Sequence, residues 1–561
     1  FVIDSWAKRR NNAKPVIEVA KRDLVNSPFF CGLLLLFCAF TFYYFAVLRI
    51  DYQRTALFDL GPYPDATEYF AQARALSKGR SPSIQIGYEK LPSRYPPGYP
   101  ALMLPWLKIL PQTDSILSPF RTNQTIGLLL LLAVFTFYAY LAMPLAGGFA
   151  TLLLATLPGF FTFCRSSLSE ISSSALIVLA FMLAYLGLRN QCRWNIYLSA
   201  ICLGLSLNIR VQSVFFAPLL LAMCFLPVRG MPLRWLIHCA TVCIIYVLAA
   251  SPVLVLNTIQ FHSPLKTGYS FWVPFTSHRI ALPPLFSLRY IPINLGRLWS
   301  ELGLQRTGYS AANIFGTGTS FVPAFFLLTC VGLFFVRKSA FVLCASLSIL
   351  SFLASTLTFV FPDTRFYLPV FILSIAVAVL PMNWAAKNVL VPRRTIAAVA
   401  IFVLFIATCL GYPSQSGYNG SGVNRSQAWD ALHFRSRPRV SRWTTAKDRF
   451  VGAFGTQPGV VLSDIDPVYL NTFLPDWIVA APLDGQHHYK YSHIWHYGRI
   501  EALALVKRGL NQACPVYALF TSREEMIEKK ERLPELDKYQ WTVADDSSRD
   551  AVILKLVPEN Q

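Results

Sequence analysis

Aspartate, glutamate, arginine and tyrosine recur in short clusters along a chain of 561 residues in which only 14% are charged. Asp65, Glu68 and Tyr69 fall in GPYPDATEYFAQARALSKGR (61–80), and Arg94 and Tyr95 stand before PPGYP. Arg165 and Glu170 lie in CRSSLSE (164–170), Arg210 in LNIRVQS (207–213), and Asp363, Arg365 and Tyr367 in DTRFYLP (363–369). Carboxylates accept protons and hydrogen bonds, and the guanidinium fork matches the oxygens of a carboxylate or a phosphate. Each cluster abuts an apolar run, where an isolated charge is costly, so these residues must pair or line a cavity. Their convergence predicts one outward-facing polar pocket. Structural roles compete with this reading. Asp65 can cap the helix ATEYFAQARALSKG with Glu68 completing a capping box. Arg165 with Glu170, and Asp363 with Arg365, can be pairs that end helices, and Tyr69 and Tyr367 can be interfacial anchors. Arg210 needs an anion in any case, either a carboxylate or a ligand phosphate.

The elements that must position these residues are membrane helices. The mean hydropathy is +0.44, and apolar runs occupy residues 29–48, 125–144, 146–163, 171–188, 196–209, 211–227, 233–255, 318–336, 340–360, 366–382 and 394–411. A spanning helix needs about 20 residues. The shorter run 98–110 therefore reads as re-entrant or interfacial, giving eleven spans, and an extra crossing around 111–123 would give thirteen. Lys and Arg collect in short segments such as WAKRRNNAKP, RNQCR (189–193), VRGMPLR (228–234) and VPRR (391–394), which the positive-inside rule assigns to the cytoplasm. The formal net charge of +21 thus reports orientation and contact with anionic lipid, and no nucleic-acid partner is expected. The first 26 residues are polar and basic and the apolar stretch after them is long enough to span, so no cleavable signal peptide is expected.

This gives a basic cytoplasmic N-terminus over 1–27, a transmembrane domain over 28–411 with outer loops 49–97 and 256–317, and a soluble extracytoplasmic α/β domain over 412–561. In the last region GVVLSDI, DWIVAAPL, CPVYALF and AVILKLV read as buried strands, and 522–539 as a charged helix. The twelve Cys show no CxxC spacing and hence no zinc or redox signature. His487, His488, His493 and His496 have chelating spacing but no Cys or acidic neighbour, the basic run 433–449 suits a solvated face or anionic contacts, and Asp466 before Pro467 reads as a helix cap.

Asp65-Ala66, Tyr69, Ala73, Leu76 and Gly79, followed by YPPGYPALMLPW (95–106), resemble the first outer loop of integral-membrane glycosyltransferases of the GT-C fold. The likeness is to bacterial relatives of the protein O-mannosyltransferases and of the lipid A aminoarabinose transferase. CRSSLSE, LNIRVQS, NTIQFHSPLKTGY (257–269) and DTRFYLP continue it in order over about residues 28–411. His262 stands where many relatives have Gly, and a leading Asp-Glu pair has become Asp-Ala with Glu68 three positions on.

The resemblance implies a polytopic α-helical GT-C-type protein in the plasma membrane that moves a sugar from a polyprenyl phosphate to an extracytoplasmic lipid, glycan or protein. It makes Asp65 the catalytic base and Arg210 and Arg365 the donor-phosphate clamps, with Arg94, Arg165 and Lys266 as competitors. Glu68, Tyr69, Glu170 and Tyr367 become binding or orienting residues. No cofactor is required by the sequence; a divalent metal bridging Asp65 or Glu68 to the phosphate occurs in part of the fold, yet no dedicated cluster is present here. A transporter or flippase for lipid-linked saccharides is the competing reading, against which stands the lack of an inverted repeat with broken helices. A non-catalytic binding subunit is a third.

Overall fold

The computed structural model describes residues 27–49, 64–224, 232–268, 286–301, 329–334, 340–359, 364–388, 442–463, 465–480, 504–532, 538–548 and 551–557. Asp363, the four clustered histidines and the apolar run 394–411 lie outside them.

Helix α1 (Pro28–Tyr43) continues through a π-turn to Leu48. There follow α2 (Pro64–Ser77), the hairpin β1 (Ile84–Ile86) and β2 (Glu89–Leu91), α3 (Gly98–Ile109), α4 (Ser118–Tyr140), α5 (Pro144–Thr156) and α6 (Pro158–Cys164). Next come α7 (Glu170–Asn190), α8 (Arg193–Ile209), a 3₁₀ segment (Val211–Phe216), α9 (Leu219–Cys224), α10 (Pro232–Phe261) and α11 (Ile291–Glu301). α12 (Ala340–Leu357), a 3₁₀ turn (Thr364–Tyr367) and α13 (Leu368–Asn388) complete the helical part. Among the described residues, Pro28–Leu48, Asp114–Tyr140, Glu170–Asn190 and Pro232–Phe261 are long and apolar enough to cross a membrane. α1 packs along α5, α7 along α8 and α8 along α10, and α13 lies against α5 and α7.

The 98–110 run keeps its non-spanning reading, and other apolar runs resolve differently from theirs. The 98–110 run is one 12-residue helix, α3, which at about 1.5 Å per residue is too short to span. The segment 111–123 is no separate crossing: its second half is the start of the helix that runs to Tyr140. The 146–163 run is broken at Leu157–Pro158 into α5 and α6, because proline removes a helical donor but is tolerated as a first helical residue. The 211–227 run opens as 3₁₀ helix before α9.

α10 carries Pro252 in its interior. Asn208, at the end of α8, inserts its amide into the disturbed ladder: its Oδ1 accepts from Val253 N at 2.8 Å and its Nδ2 donates to Ala249 O at 2.8 Å. A broken helix in hydrocarbon needs such a polar side chain to satisfy its backbone.

C-terminal to these helices, α14 (Arg442–Phe454), β3 (Val460–Ser463), α15 (Pro467–Phe473), β4 (Ile478–Ala480), β5 (Val516–Phe520), α16 (Arg523–Arg532), β6 (Trp541–Ser548) and β7 (Ala551–Leu556) surround one sheet of order β4-β3-β5-β7-β6. β3 pairs in parallel with β4 and β5, and β7 antiparallel with β5 and β6. The four segments read as buried strands are β3, β4, β5 and β7. β6, with the polar sequence WTVADDSS, gave no hydrophobic signal because it is an irregular edge strand. Asp466 caps α15, its Oδ1 accepting from Val468 N and Tyr469 N at 2.8 and 3.0 Å.

The β1–β2 hairpin, unforeseen in the stretch between α2 and α3, docks on this sheet. Gly87 N donates to Val479 O at 2.7 Å, Asn471 Nδ2 donates to Gln85 O at 2.8 Å, and Arg508 lies 3.8 Å from the Tyr88 ring centroid.

Candidate active site

The first turn of α2 carries Asp65, the first turn of α7 carries Glu170, Arg210 ends α8, and Arg365 lies in the 3₁₀ turn before α13. Helix N-termini favour the two carboxylates and a helix C-terminus favours Arg210, so local electrostatics already sorts the charges. These four side chains meet in one chain of ion pairs. Arg365 Nη2 donates to Asp65 Oδ2 at 3.0 Å, Arg365 Nε lies 3.3 Å from Glu170 Oε1, and Arg210 Nη1 donates to the same oxygen at 2.6 Å. Tyr95 Oη donates to Asp65 Oδ1 at 2.5 Å. Both guanidiniums lie over the ring of Phe366, at 5.0 Å for Arg210 and 5.3 Å for Arg365.

Ser169, the N-cap residue of α7, directs its hydroxyl to the cluster and not to its own helix. Its Oγ is 2.8 Å from Tyr69 Oη and accepts from Arg210 Nη1 at 3.4 Å. Asn123 holds the preceding turn, its Nδ2 donating to Ser166 O and Leu168 O at 2.8 and 2.6 Å. The Asn-Gln-Thr sequence at Asn123 is therefore no glycan site: the side chain is fully buried and already bonded.

The cluster forms the polar end of a cavity of about 260 Å³, near the lower limit of small-molecule sites. Its remaining wall is largely apolar, with Ile177, Val214, Phe215, Phe286, Phe352 and Phe359 prominent. Glu170 is 3% exposed, and its Oε2 has no hydrogen-bond partner among the described residues. The formal charges of Asp65, Glu170, Arg210 and Arg365 cancel. A second carboxylate oxygen without a donor and two cations held by shared, exchangeable bonds suit a site that admits a polar ligand.

Asp65, Tyr69, Glu170, Arg210 and Arg365 thus surround the cavity. The other five residues to which the resemblance gives site roles do not line it. Glu68 is fully buried and turned to Arg94: Oε1 accepts from Arg94 Nε at 2.7 Å and Nη2 at 2.5 Å, while Oε2 accepts from Arg94 N at 3.0 Å and Ser93 Oγ at 2.8 Å. This uses both residues, so Glu68 closes no capping box and Arg94 is drawn away from the cavity. Burial pushes the Glu68 carboxyl above its ordinary range, against the pull of the Arg94 charge and hydrogen bonds. Arg165 extends the end of α6, its N–H donating to Phe161 O at 3.2 Å, and Glu170 pairs with Arg210 and Arg365 in its place. Lys266 is exposed while its neighbour Thr267 lines the wall. Tyr367 is buried in the core against Phe371, because the 3₁₀ turn that aims Arg365 at the cavity aims Tyr367 inward.

The glycines in the quoted motifs are contact points. A Cβ on Gly98 would lie 2.3 Å from Asn208 O, so PPGYP lets α3 abut the end of α8. A Cβ on Gly268 would lie 2.0 Å from Ser93 O, which brings the SPLKTG segment against the Ser93–Arg94 backbone. His262 adopts φ 56°, the left-handed region in which glycine is unstrained.

Ser169, Asn208 and Phe366 are site or positioning residues that residue-type reasoning passed over, and Tyr95, named beside Arg94 in the sequence clusters, was given no role there although it lines the cavity. The signal for Tyr95 and Phe366 was adjacency to an arginine in a turn. For Ser169 and Asn208 the nearby sequence carried none. Among the described residues no three His, Cys, Asp or Glu side chains gather as a metal set. With Glu68 held by Arg94, a metal bridging it to the cavity does not fit this arrangement.

No protein-family model matches the sequence, and no curated protein sequence matches it. Among solved structures, ArnT from Cupriavidus metallidurans bound to undecaprenyl phosphate is similar over 94% of this chain and 98% of its own, with a TM-score of 0.60 and 10% identity. The same protein in the apo state gives a TM-score of 0.56 at 12% identity, covering 93% of this chain and 97% of that one. The apo oligosaccharyltransferase of Archaeoglobus fulgidus gives 0.50 at 13% identity, covering 89% and 70%. The likeness is one of fold: the chain is a largely α-helical, multi-pass membrane protein with a GT-C-like architecture.

Proposed function

We propose that this protein transfers a sugar from a polyprenyl-phosphate carrier to an acceptor hydroxyl on the outer side of the plasma membrane. The N-terminus is then cytoplasmic and residues 412–561 extracytoplasmic. The observation that carries the reading is the meeting of Asp65 and Arg365, 300 residues apart, with Glu170 and Arg210 at the polar end of an apolar-walled cavity. A carrier with a phosphate head and a hydrocarbon tail has the same polarity profile. The GT-C-like fold, and its likeness to a protein solved with undecaprenyl phosphate, support it.

In this mechanism the acceptor oxygen attacks the anomeric carbon, and the bond from that carbon to the phosphate oxygen breaks with its electron pair passing to the phosphate. Arg210 and Arg365 exchange part of their contact with Glu170 for the phosphate oxygens, where charge grows in the transition state. Asp65, oriented by Tyr95 and Arg365, accepts the acceptor proton late in the displacement. Glu170 keeps the two guanidiniums in register, and its Oε2 meets hydroxyls of the donor sugar. Tyr69, through Ser169, fixes the arm of Arg210.

The test is transfer of radiolabelled sugar from a panel of short-chain polyprenyl phosphate sugars by the purified protein and by Asp65→Asn. Donor-dependent turnover that disappears in the variant, with an unchanged melt, supports the reading. Donor binding without turnover in either protein, whatever the acceptor, refutes it and favours carrier recognition or transport.

A further inference from the structure

A second cleft, of about 80 Å³, lies between the C-terminal end of α2, the β1–β2 hairpin and α15. Four cations line it: Arg74, Lys78, Arg80 and Lys90. Arg74 is 9 residues along α2 from Asp65, about 14 Å down the helix from the candidate base, and Lys78 follows in the turn past the helix end, so the cleft is a separate place.

The cleft is held in shape from both sides. Arg74 donates from Nη1 to Asn471 O and from Nη2 to Thr472 O, both at 2.9 Å, and lies 4.7 Å from the Phe70 ring centroid. Lys78 stands in the turn just past the end of the helix, its N–H donating to Ala75 O at 3.1 Å. Lys90 is registered opposite Gln85 in the hairpin, and both line the cleft. Asp476 is the carboxylate that acts on Arg74. Among the described residues no ion pair engages Lys78, Arg80 or Lys90, all of which are exposed.

Four like charges around one small opening repel one another, and α2's terminal carbonyls offset only about half a unit of charge. With Asp476 also counted, more than two positive charges remain to be balanced. A carboxylate supplies one negative charge and a phosphomonoester close to two at neutral pH, with three acceptor oxygens for donors arriving from three directions. The volume suits one such head and no saccharide chain.

We propose that this cleft is a phosphate site, taking the phosphoryl group of a lipid headgroup or of another phosphate-bearing molecule and bridging the first outer loop to α15. It does not depend on the transferase reading, since binding there requires no donor sugar.

The test compares full-length protein in neutral detergent with the triple variant Lys78→Gln, Arg80→Gln, Lys90→Gln at fixed ionic strength. The probes are radiolabelled inorganic phosphate and phosphatidic acid in mixed micelles. A charge-matched control, Lys507→Gln, Arg523→Gln, Lys555→Gln, and the cavity variant Arg210→Met, Arg365→Met are run beside it. The expected result is at least tenfold weaker binding in the cleft variant, with the control and the cavity variant still binding at this site. A loss seen with both probes assigns recognition to the phosphate itself. A loss confined to phosphatidic acid assigns a headgroup, and one confined to inorganic phosphate assigns a soluble molecule. Equal binding by wild type and cleft variant for both probes, or an equal loss in the charge-matched control, overturns the site.

Discussion

Asp65 and Glu68 stand three residues apart on one helix, and each meets an arginine, Glu68 one that lies 26 residues on and Asp65 one that lies 300 residues on. Glu68 is fully buried, and both of its oxygens receive two donors each from Ser93 and Arg94. Asp65 lies at the cavity, where its arginine also reaches Glu170, and one oxygen of Glu170 has no donor among the described residues. The first arrangement is closed: nothing can enter without breaking a bond that burial makes costly to lose. The second is open, since a ligand can take over bonds that two cations share with one carboxylate oxygen. Residue type and proximity to an arginine are thus the same in both places, and satisfaction of hydrogen bonds separates structure from chemistry.

The largest effect that tests this contrast is on catalysis. Asp65→Asn should lower sugar transfer about 10²- to 10⁴-fold with little change in melting temperature, measured as initial rates beside a detergent thermal melt. Glu68→Gln should do the opposite, and a swap of these two outcomes would erase the distinction. Next, Arg94→Met should cost about 3–5 kcal/mol of stability by leaving Glu68 buried and uncompensated. Glu68→Leu combined with Arg94→Met should recover most of that loss in the same denaturation series. If the double variant is as unstable as the single, the pair does more than lock the loop.

Glu170→Gln sharpens the open half. It keeps an acceptor for Arg210 but removes the charge that holds both guanidiniums, so transfer should fall about 10- to 100-fold, through a loss smaller than removal of a whole oxyanion donor. A stability loss as large as that of Arg94→Met would place Glu170 with the closed pair. The smallest effect is expected for Asn208→Ala, which removes the amide from the Pro252 bend: about 1 kcal/mol of stability, with a modest fall in activity as the end of α8 that carries Arg210 loses its tie to α10. An unchanged rate and melt would mean that the bend is held by packing alone.

Much of the helical part was legible in the sequence. Spans such as Pro28–Leu48, Glu170–Asn190 and Pro232–Phe261 coincide with uninterrupted apolar runs, because hydrocarbon accepts backbone only as closed hydrogen-bonded helix. Interrupted runs were less legible, as at Leu157–Pro158 and Val211–Phe216, where a turn carries residues as apolar as its flanks. The β1–β2 hairpin was invisible for another reason. Its three-residue strands are stabilised by docking on β4 and α15, which follow nearly 400 residues later.

By itself the sequence determined that the chain enters a membrane, where its long helices run, and that a few carboxylates and arginines at their ends must find partners. Composition and periodicity suffice for that, since burying an unpaired charge is prohibitive wherever it occurs. Only the tertiary structure decided which partner each one found. Glu170 took Arg210 and Arg365 and not Arg165, Glu68 took Arg94, and Tyr367 turned inward beside an arginine that turned out. These choices rest on how helix ends far apart in the chain meet in space, and on which side chains that meeting leaves open to a cavity.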